Sequence, residues 1–293
     1  MSGHDEGARQ WVHVGSVAFA FLLRVLTWPQ AAALAAAAFL FNLAVLPRVG
    51  GRRLYRPADA ARGYPLGILL YPLAVLGLIL LFPTRLDIAA AAWAILAFGD
   101  GFATLVGRRL AGRRWPWSPD KTIAGTVAFT VFGGCGATAL ALWTRPSVHP
   151  LPPLAFALVA APVAALAAAL VETISVRLDD NISVPVVSAG VLWLASLFAP
   201  DVWHMARPGV SALLPWAAAV NLVVAWAGYR ARTVSRSGAI GGAVVGIAIY
   251  AGAGVLAWLL LFATFVLASV TSRLGLRRKS ALGIAEERGG RRG

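Results

Sequence analysis

Two long apolar runs are joined by GDGFATLVGRRLAGRRWPWSPDKTIAGT, residues 99–126. This stretch begins with an acid, Asp100, crosses a basic loop and reaches Lys121 where the second run starts. Apolar runs of about 20 residues are long enough to cross the hydrocarbon core of a bilayer as helices. An acid and a group of cations at the ends of such runs can hold Mg²⁺ and a polyphosphate beside a membrane. The stretch therefore predicts a helical membrane protein that transfers a phosphoryl or nucleotidyl group onto a lipid.

The composition of the whole chain favours a membrane location. Of its 293 residues, 59% are hydrophobic and 13% are charged, whereas soluble domains carry about 25% charged residues. Further apolar runs predict an all-α, polytopic membrane protein with about ten spans, seven in a first block and three in a second. The predicted spans are residues 12–28, 30–47, 65–83, 86–106, 122–143, 154–176, 184–199, 210–228, 238–252 and 254–272.

Basic residues orient these spans. The formal net charge is +14, and the cytoplasmic loops of membrane proteins are enriched in Lys and Arg. With both termini in the cytoplasm, the predicted arrangement leaves only Arg24, Arg85, Arg145 and Arg207 on the outer side. Topology and anionic lipid headgroups thus explain the positive charge without a nucleic-acid partner. The predicted location is a cell inner membrane.

Asp100 is the first candidate for chemistry. A carboxylate in a membrane span costs about 3 kcal/mol at the bilayer centre, so it needs a cation, a metal ion or a polar cavity. Its neighbours Gly99 and Gly101 leave room for another group to approach the backbone closely. The alternative is an Asp at the membrane interface that pairs with Arg108 or Arg109.

The basic loop and the helix after it supply candidate phosphate ligands. Gly107 and Arg108 open the loop, and a guanidinium matches the geometry of phosphate oxygens. The loop closes with Ser118-Pro119-Asp120-Lys121-Thr122 and Gly125, which predicts a helix start that offers N–H groups to an anion. Ser118 and Thr122 can cap that helix or bind phosphate, and Lys121 adds a point charge. Membrane topology alone is the alternative reason for these cations.

A second acidic stretch is VETISVRLDDNISVP, residues 171–185. Asp179 and Asp180 follow Glu172 by seven and eight residues, which places them on roughly the same helix face. Glu172 and Asp100, with Asp179 or Asp180, are predicted to hold Mg²⁺, which prefers oxygen ligands. The alternatives are a pairing of Glu172 with Arg177 and an ordinary polar turn at Asp179, Asp180 and Asn181.

Taken in order, these motifs resemble the CTP-dependent polyprenol kinases, such as phytol kinase and dolichol kinase, over about residues 8–200. Arg9 and His13 resemble the opening of that family and are accessory candidates. The resemblance implies CTP as co-substrate, Mg²⁺ as cofactor and a prenyl alcohol as substrate. It implies catalytic roles for Asp100, Lys121 and Glu172. The implied nucleotide-binding residues are Gly99, Gly101, Gly107, Arg108, Ser118, Thr122, Gly125 and Asn181.

The second block resembles another family, the membrane phytyl-phosphate kinases, over about residues 210–293. The residues that carry this resemblance are Ser235, Arg236, Ser237, Lys279, Glu286, Arg288 and Arg291. We therefore predict a polyprenol kinase-like domain over residues 1–205 and a partial phytyl-phosphate kinase-like segment over residues 206–293. The expectation is that this second segment is truncated.

Two other functions fit the same residues. A CDP-lipid synthase would use CTP but release pyrophosphate, and phosphatidate cytidylyltransferases share the Lys-Thr-x-x-Gly element seen at Lys121–Gly125. A non-enzymatic lipid-binding or transport protein would also carry acids in its spans. The expected partners are a prenyl alcohol and anionic membrane lipids, and a homodimer is one possible assembly.

Overall fold

A computed structural model describes residues 14–49, 64–110, 112–174 and 179–273. The chain divides into two compact units, Met1–Phe198 and Ala199–Gly293. The sequence-based boundary at residues 205 and 206 falls seven residues beyond this division, inside a long helix.

The first unit is built almost entirely of helices. A 3₁₀ helix, Ser16–Arg24, precedes the α-helices, and a second, Arg145–Ser147, follows the fifth. Turns of π-helix, Phe41–Val45, Ile95–Asp100 and Phe156–Ala160, extend or join the α-helices. The α-helices are α1 Trp28–Leu40, α2 Leu66–Leu81, α3 Leu86–Ala94, α4 Gly101–Leu110, α5 Ile123–Thr144, α6 Ala161–Glu172 and α7 Asp180–Ser196.

A short antiparallel hairpin connects α4 to α5. Its strands are β1, Arg114–Trp115, and β2, Ser118–Thr122, and Arg114 is paired with Thr122. The sequence analysis did not predict these strands. It placed Lys121 at a helix start, but Lys121 lies on β2 and α5 begins at Ile123. The two prolines around Trp117 explain this, because proline and the residue before it favour extended or turn backbone.

Helix α3 forms the centre of the first unit. Every one of its residues is buried, and it packs against the first 3₁₀ helix, α2, α5 and α7. Its alanines allow this because small side chains let helices approach closely in a membrane protein. The π-helical turn that follows ends at Asp100, so the buried helix fixes the position of that acid.

Glycines bring α5 against this turn. A Cβ atom on Gly133 would lie 3.3 Å from the Cα of Gly99, and a Cβ atom on Gly99 would lie 2.7 Å from the ring of Phe129. Real Cβ atoms rarely tolerate such distances. Gly99, predicted to bind nucleotide, is therefore a helix-packing residue in the structure.

In the second unit, residues 199–273 form two helices that pack against each other, α8 Pro200–Arg230 and α9 Arg236–Arg273. Helix α9 is broken at Gly254, whose φ of 87° lies in the left-handed region that favours glycine. The buried side chain of Asn221 on α8 accepts a hydrogen bond from Nε1 of Trp258 at 2.9 Å. A satisfied hydrogen bond of this kind joins the two helices in an apolar setting.

The all-α class is confirmed, with the hairpin as a small addition. In the part of the chain that the structure describes, five helical segments are long and apolar enough to cross a membrane: Trp28–Val45, Leu86–Leu110, Ile123–Ser147, Pro200–Arg230 and Arg236–Thr271. Leu66–Leu81 and Phe156–Glu172 are shorter apolar helices. These segments agree with an integral membrane protein, but they do not establish the predicted count of ten spans.

Three predicted spans differ in detail from the structure. The first, residues 12–28, contains a nine-residue 3₁₀ helix, which at about 2 Å per residue is too short to cross a bilayer. The last two, residues 238–252 and 254–272, form one helical stretch interrupted at Gly254.

Candidate functional site

Three carboxylates from different parts of the sequence meet in the first unit. Asp100 ends the π-helical turn after α3, Glu172 ends α6 and Asp180 begins α7. One oxygen from each lies within 4.8 Å of the others, and all three residues are partly buried. Like charges at this separation repel unless a cation lies between them. The cluster is therefore a site built to hold positive charge.

Lys121 supplies part of that charge. Its Nζ donates hydrogen bonds to Oε1 of Glu172 at 2.5 Å and to Oδ2 of Asp180 at 3.1 Å. The Glu172 side chain is only 7% exposed, whereas those of Lys121 and Asp180 are 33% and 43% exposed. Burial of Lys121 disfavours its charged form, but the carboxylates of Glu172 and Asp180 outweigh this effect and raise the pKa of the lysine.

The hairpin holds Lys121 in place. Nη1 of Arg114 donates to the carbonyl oxygen of Pro119 at 2.6 Å across the turn. Nε1 of Trp117 donates to Oγ1 of Thr173 at 3.2 Å, which links the hairpin to the end of α6. The rings of Trp115 and Trp117 stack with their centroids 4.8 Å apart. These contacts hold the hairpin, and with it the backbone of Lys121, in position.

Thr122 and two glycines fix the start of α5. Oγ1 of Thr122 accepts a hydrogen bond from the backbone N–H of Gly125 at 3.1 Å, which is an N-cap. A Cβ atom on Gly125 would lie 3.1 Å from the carbonyl oxygen of Ala103, and one on Gly107 would lie 3.0 Å from Oγ1 of Thr122. The absence of side chains at Gly107 and Gly125 lets α4 and α5 approach closely beside Lys121.

These groups surround a polar cavity of about 580 Å³. Its lining combines acids, cations, hydroxyl groups and small residues, which is the set of groups that can bind a metal ion together with a phosphate chain. The lining residues are Asp100, Ala103, Thr104, Gly107, Arg108, Arg114, Asp120, Lys121, Thr122, Gly125, Thr126, Glu172, Thr173 and Asp180.

Curated proteins similar to this chain are plant phytol kinases. "Probable phytol kinase 2, chloroplastic" of Glycine max is 32% identical over 53% of this chain and 53% of its own length. "Phytol kinase 1, chloroplastic" of Arabidopsis thaliana is 28% identical over 44% of this chain and 43% of its own. A rice protein, "Probable phytol kinase 2, chloroplastic", is 36% identical over 32% of this chain and 31% of its own. This chain is similar to phytol kinases.

The resemblance to this kinase family that the motifs predict is thereby confirmed. The phytol kinase-like chain spans about half the length, or less, of these curated relatives. Residues 219–293, in the second unit, match a family described as "Integral membrane protein DUF92". No solved structure gives a significant match.

Most of the residues predicted for the site of this phytol kinase-like chain lie around the polar cavity. Asp100, Lys121, Glu172 and Asp180 form its charged centre. Gly107, Arg108, Thr122 and Gly125 also line it. The N-cap hydrogen bond occupies one lone pair of the Thr122 hydroxyl, so this group is in part a structural one.

Besides Gly99, four predicted residues lie outside the cavity lining: Gly101, Ser118, Asp179 and Asn181. Gly101 is buried in the first turn of α4, and Ser118 is buried at the start of β2. Asp179 is the N-cap of α7, where its Oδ1 accepts from the backbone N–H of Asn181 at 3.0 Å and from its side chain at 2.8 Å. Because the carboxylate of Asp179 caps α7, Asp180 is the acid of this pair that belongs to the carboxylate cluster.

The side chain of Asn181 is buried near the start of α7. Its Oδ1 atom has no hydrogen-bond partner among the described residues. A buried acceptor without a partner costs free energy, so this atom is suited to receive a hydrogen bond from a bound water or ligand. It does not line the polar cavity itself.

The candidates at the chain ends have a different status. Arg9, His13, Lys279, Glu286, Arg288 and Arg291 lie outside the described residues. Ser235, Arg236 and Ser237 lie at the start of α9, where Oγ of Ser235 accepts from the backbone N–H of Gly238 at 3.0 Å. Nε of Arg236 donates to the hydroxyl of Tyr229 at 3.1 Å.

Several lining residues were not predicted from the sequence. Thr104 lies four residues after Asp100, and Thr126 lies four after Thr122, so helical periodicity could have placed both in the site. Arg114 and Asp120 lie on the hairpin and Thr173 follows Glu172. The hairpin residues had no comparable signal, because the strands themselves were not predicted.

The carboxylate cluster fits a hard divalent cation. Mg²⁺ is bound in proteins through oxygen ligands, usually one or two carboxylates with substrate phosphates and water. Asp100, Glu172 and Asp180 offer three carboxylates, and the cavity beside them has room for water and phosphate. Arg108, Arg114 and Lys121 can neutralise further negative charge of a polyphosphate.

Proposed function

We propose that this chain phosphorylates a membrane isoprenoid alcohol, of the phytol or geranylgeraniol type, with CTP as the phosphoryl donor. The observation that carries this proposal is the meeting of Asp100, Glu172, Asp180 and Lys121 at one polar cavity. The similarity to proteins named as phytol kinases supports the alcohol substrate and the kinase reaction. The choice of CTP rests on the motif resemblance alone.

Each side chain of the site has a distinct role in this proposal. Asp100, Glu172 and Asp180 would hold Mg²⁺, and Lys121 and Arg108 would hold phosphate oxygens. When bound, Mg²⁺ would neutralise the charge that develops on the phosphates during transfer. Because phosphoryl transfer depends mainly on positioning and on charge stabilisation, the fixed geometry of the hairpin and of α3 is the protein's main contribution.

The transfer itself is a displacement at the γ-phosphorus of CTP. The oxygen of the alcohol forms a bond to this phosphorus while the bond to the β,γ-bridging oxygen breaks, so that CDP leaves. The hydroxyl proton passes to a carboxylate of the cluster, and we propose Asp100 for this role in addition to metal binding. The products are a prenyl monophosphate and CDP.

The cellular arrangement belongs to the same proposal. The chain would span a cell inner membrane with both termini in the cytoplasm, where CTP is present. Anionic lipid headgroups would contact its basic loops, and a homodimer is the proposed assembly. The plant relatives are named as chloroplastic, so the membrane differs between this proposal and those proteins.

The test uses the full chain in lipid nanodiscs with Mg²⁺, each of four nucleoside triphosphates and a panel of prenyl alcohols. Mass spectrometry of the lipid and nucleotide products should show prenyl monophosphate and CDP. Asp100→Asn and Lys121→Ala should lower the rate by about 100-fold or more, as expected for groups that act on the transition state. Unchanged rates in both variants would remove the site assignment.

Neighbouring arginines provide a matched control. Arg108 and Arg109 are both exposed on the last turn of α4, but only Arg108 lines the polar cavity. Arg108→Ala should weaken nucleotide binding, and Arg109→Ala should leave it unchanged. Equal effects of the two variants would indicate that the loop acts only through its total charge.

A CDP-lipid synthase is the second candidate. It is favoured by the Lys-Thr-x-x-Gly element, whose lysine and threonine line the polar cavity. In such an enzyme an oxygen of a lipid phosphate would form a bond to the α-phosphorus of CTP while the bond to the α,β-bridging oxygen breaks, so that pyrophosphate leaves. Release of pyrophosphate with a cytidylyl lipid would therefore replace the kinase proposal with this one.

A further inference from the structure

A second cavity of the first unit lies outside the polar site. It has a volume of about 610 Å³ and lies between the first 3₁₀ helix, α1 with its π-helical turn, and α2. Its walls are apolar and include the buried side chains of Leu23, Val75 and Ile79. Ligand pockets commonly have volumes of about 300–1,000 Å³ and mostly apolar walls. We call this space the apolar cavity.

One end of the apolar cavity carries polar groups. Tyr71 lies on α2, and its hydroxyl oxygen accepts hydrogen bonds from Oγ of Ser16 and from Nε1 of Trp93, each at 2.8 Å. All three residues line the cavity. A few fixed polar groups in an apolar pocket orient a ligand that has one polar end.

This polar end shares a helical segment with Asp100. Trp93 lies on α3, seven residues before Asp100 on the same continuous helical segment, which corresponds to about 10 Å along its axis. An alcohol whose chain lies in the apolar cavity and whose hydroxyl group passes Tyr71 would therefore reach about two helical turns further to meet Asp100.

Part of the cavity wall is exposed at the surface. Phe19, Leu34 and Phe41 line it and are 55%, 42% and 47% exposed. On a membrane protein, exposed apolar side chains of this kind face lipid rather than water. An apolar molecule dissolved in the bilayer can therefore enter the cavity from the side.

We propose that the apolar cavity holds the isoprenoid chain of the alcohol substrate and that Tyr71, at its polar end, directs the hydroxyl group toward Asp100. This inference rests on the proposed function for the identity of the alcohol. It assigns chain-length selection to α1 and α2, at a distance from the residues that bind phosphate. Tyr71 is a positioning residue in this arrangement.

Two alanines on α1 make a matched test. Ala33 and Ala38 are both exposed on this helix, but only Ala38 lines the apolar cavity. Ala38→Phe fills part of the cavity, whereas Ala33→Phe adds the same ring elsewhere on the helix. Ala37→Phe fills the same cavity from the neighbouring position and is available should Ala38→Phe fail to fold.

The measurement is photolabelling of the full chain in nanodiscs without nucleotide. The probe is a geranylgeraniol analogue with a diazirine at the end remote from the hydroxyl, and unlabelled geranylgeraniol is the competitor. We expect labels on cavity residues such as Leu34 and Phe41, loss of these labels with the competitor, and a roughly tenfold reduction in Ala38→Phe but not in Ala33→Phe. Because labelling needs no CTP, it can succeed even where phosphoryl transfer fails.

Other outcomes overturn the inference. Equal labelling of the two Phe variants would show that the cavity does not hold the chain. If an added phospholipid prevents labelling as effectively as geranylgeraniol does, the cavity is an ordinary lipid site. A Tyr71→Phe variant separates positioning from packing, since it should lower kcat for transfer while photolabelling persists. If labelling were lost as well, Tyr71 would have a structural role only.

Discussion

Replacement of Lys121 by methionine tests the electrostatics of the site most directly. Methionine keeps much of the length of lysine but lacks its charge, so Asp100, Glu172 and Asp180 would face one another without their protein counter-cation. Two unit charges 4.8 Å apart repel by about 3.5 kcal/mol at an effective dielectric constant of 20. Because the side chains of Lys121 and Asp180 are partly exposed, solvent screens this repulsion. The expected loss of stability is then about 2 kcal/mol for the site as a whole.

The expected result is a loss of stability that Mg²⁺ reverses. A change of about 2 kcal/mol lowers Tm by about 4–8 °C in a chain of this size. In Lys121→Met this loss should appear in buffer with EDTA and should shrink by at least half with millimolar Mg²⁺, because the ion replaces the missing charge. Thermal unfolding in detergent, followed by tryptophan fluorescence, measures both values.

Two further variants control this experiment. Arg109→Met removes a nearby exposed cation that does not line the cavity, and its Tm should be insensitive to Mg²⁺. Asp180→Asn, added to Lys121→Met, removes one of the repelling charges and should recover part of the lost stability. The reasoning is refuted if the Lys121→Met loss is the same with and without Mg²⁺ and is unaffected by Asp180→Asn.

Four other predictions follow from individual residues. Arg108→Ala should raise KM for the nucleotide about tenfold, as loss of one charge-assisted contact implies. Gly125→Ala should lower the free energy of unfolding by about 1–3 kcal/mol through overpacking. Its control is Gly190→Ala on α7, which has open space around it and should be neutral or stabilising. Thermal unfolding of the two variants measures the difference. Gly254→Ala should lower Tm, because its φ of 87° strains any residue with a side chain. Since the pKa of Lys121 is raised above 10.5, the stability that its charge contributes to the wild type should be retained from about pH 8 to 9.5 and lost only at higher pH, which the Tm of the wild type measured against pH checks.

The sequence was sufficient for features that depend on local patterns. Apolar runs predict most helices of the first unit to within a few residues, and Thr122 before Ile123 is a recognisable N-cap. The approach of Asp100, Glu172 and Asp180 could be anticipated because acids in apolar helices need a shared cation or cavity. The Asp-Asp-Asn stretch also contains a local signal. An Asp before a helix is a recognisable N-cap, and because Asp179 caps α7, Asp180 remains for the cluster.

Features that depend on distant contacts could not be predicted in this way. Lys121 and Glu172 are 51 residues apart, and nothing in their local sequence indicates that they pair. The hairpin is held in part by the hydrogen bond from Trp117 to Thr173, which exists only once α6 is in place. The apolar cavity lies between helices that the sequence shows merely as apolar runs, so its shape required the structure.

The central claim is that the γ-phosphate of CTP is transferred to a prenyl alcohol at the carboxylate and lysine site. Parallel reactions with CTP labelled at the γ-phosphate and at the α-phosphate, with geranylgeraniol and Mg²⁺, test it most directly. The account predicts that only the γ-label enters the lipid and that Asp100→Asn abolishes this incorporation. Entry of the α-label, or γ-label incorporation that Asp100→Asn leaves unchanged, would contradict it.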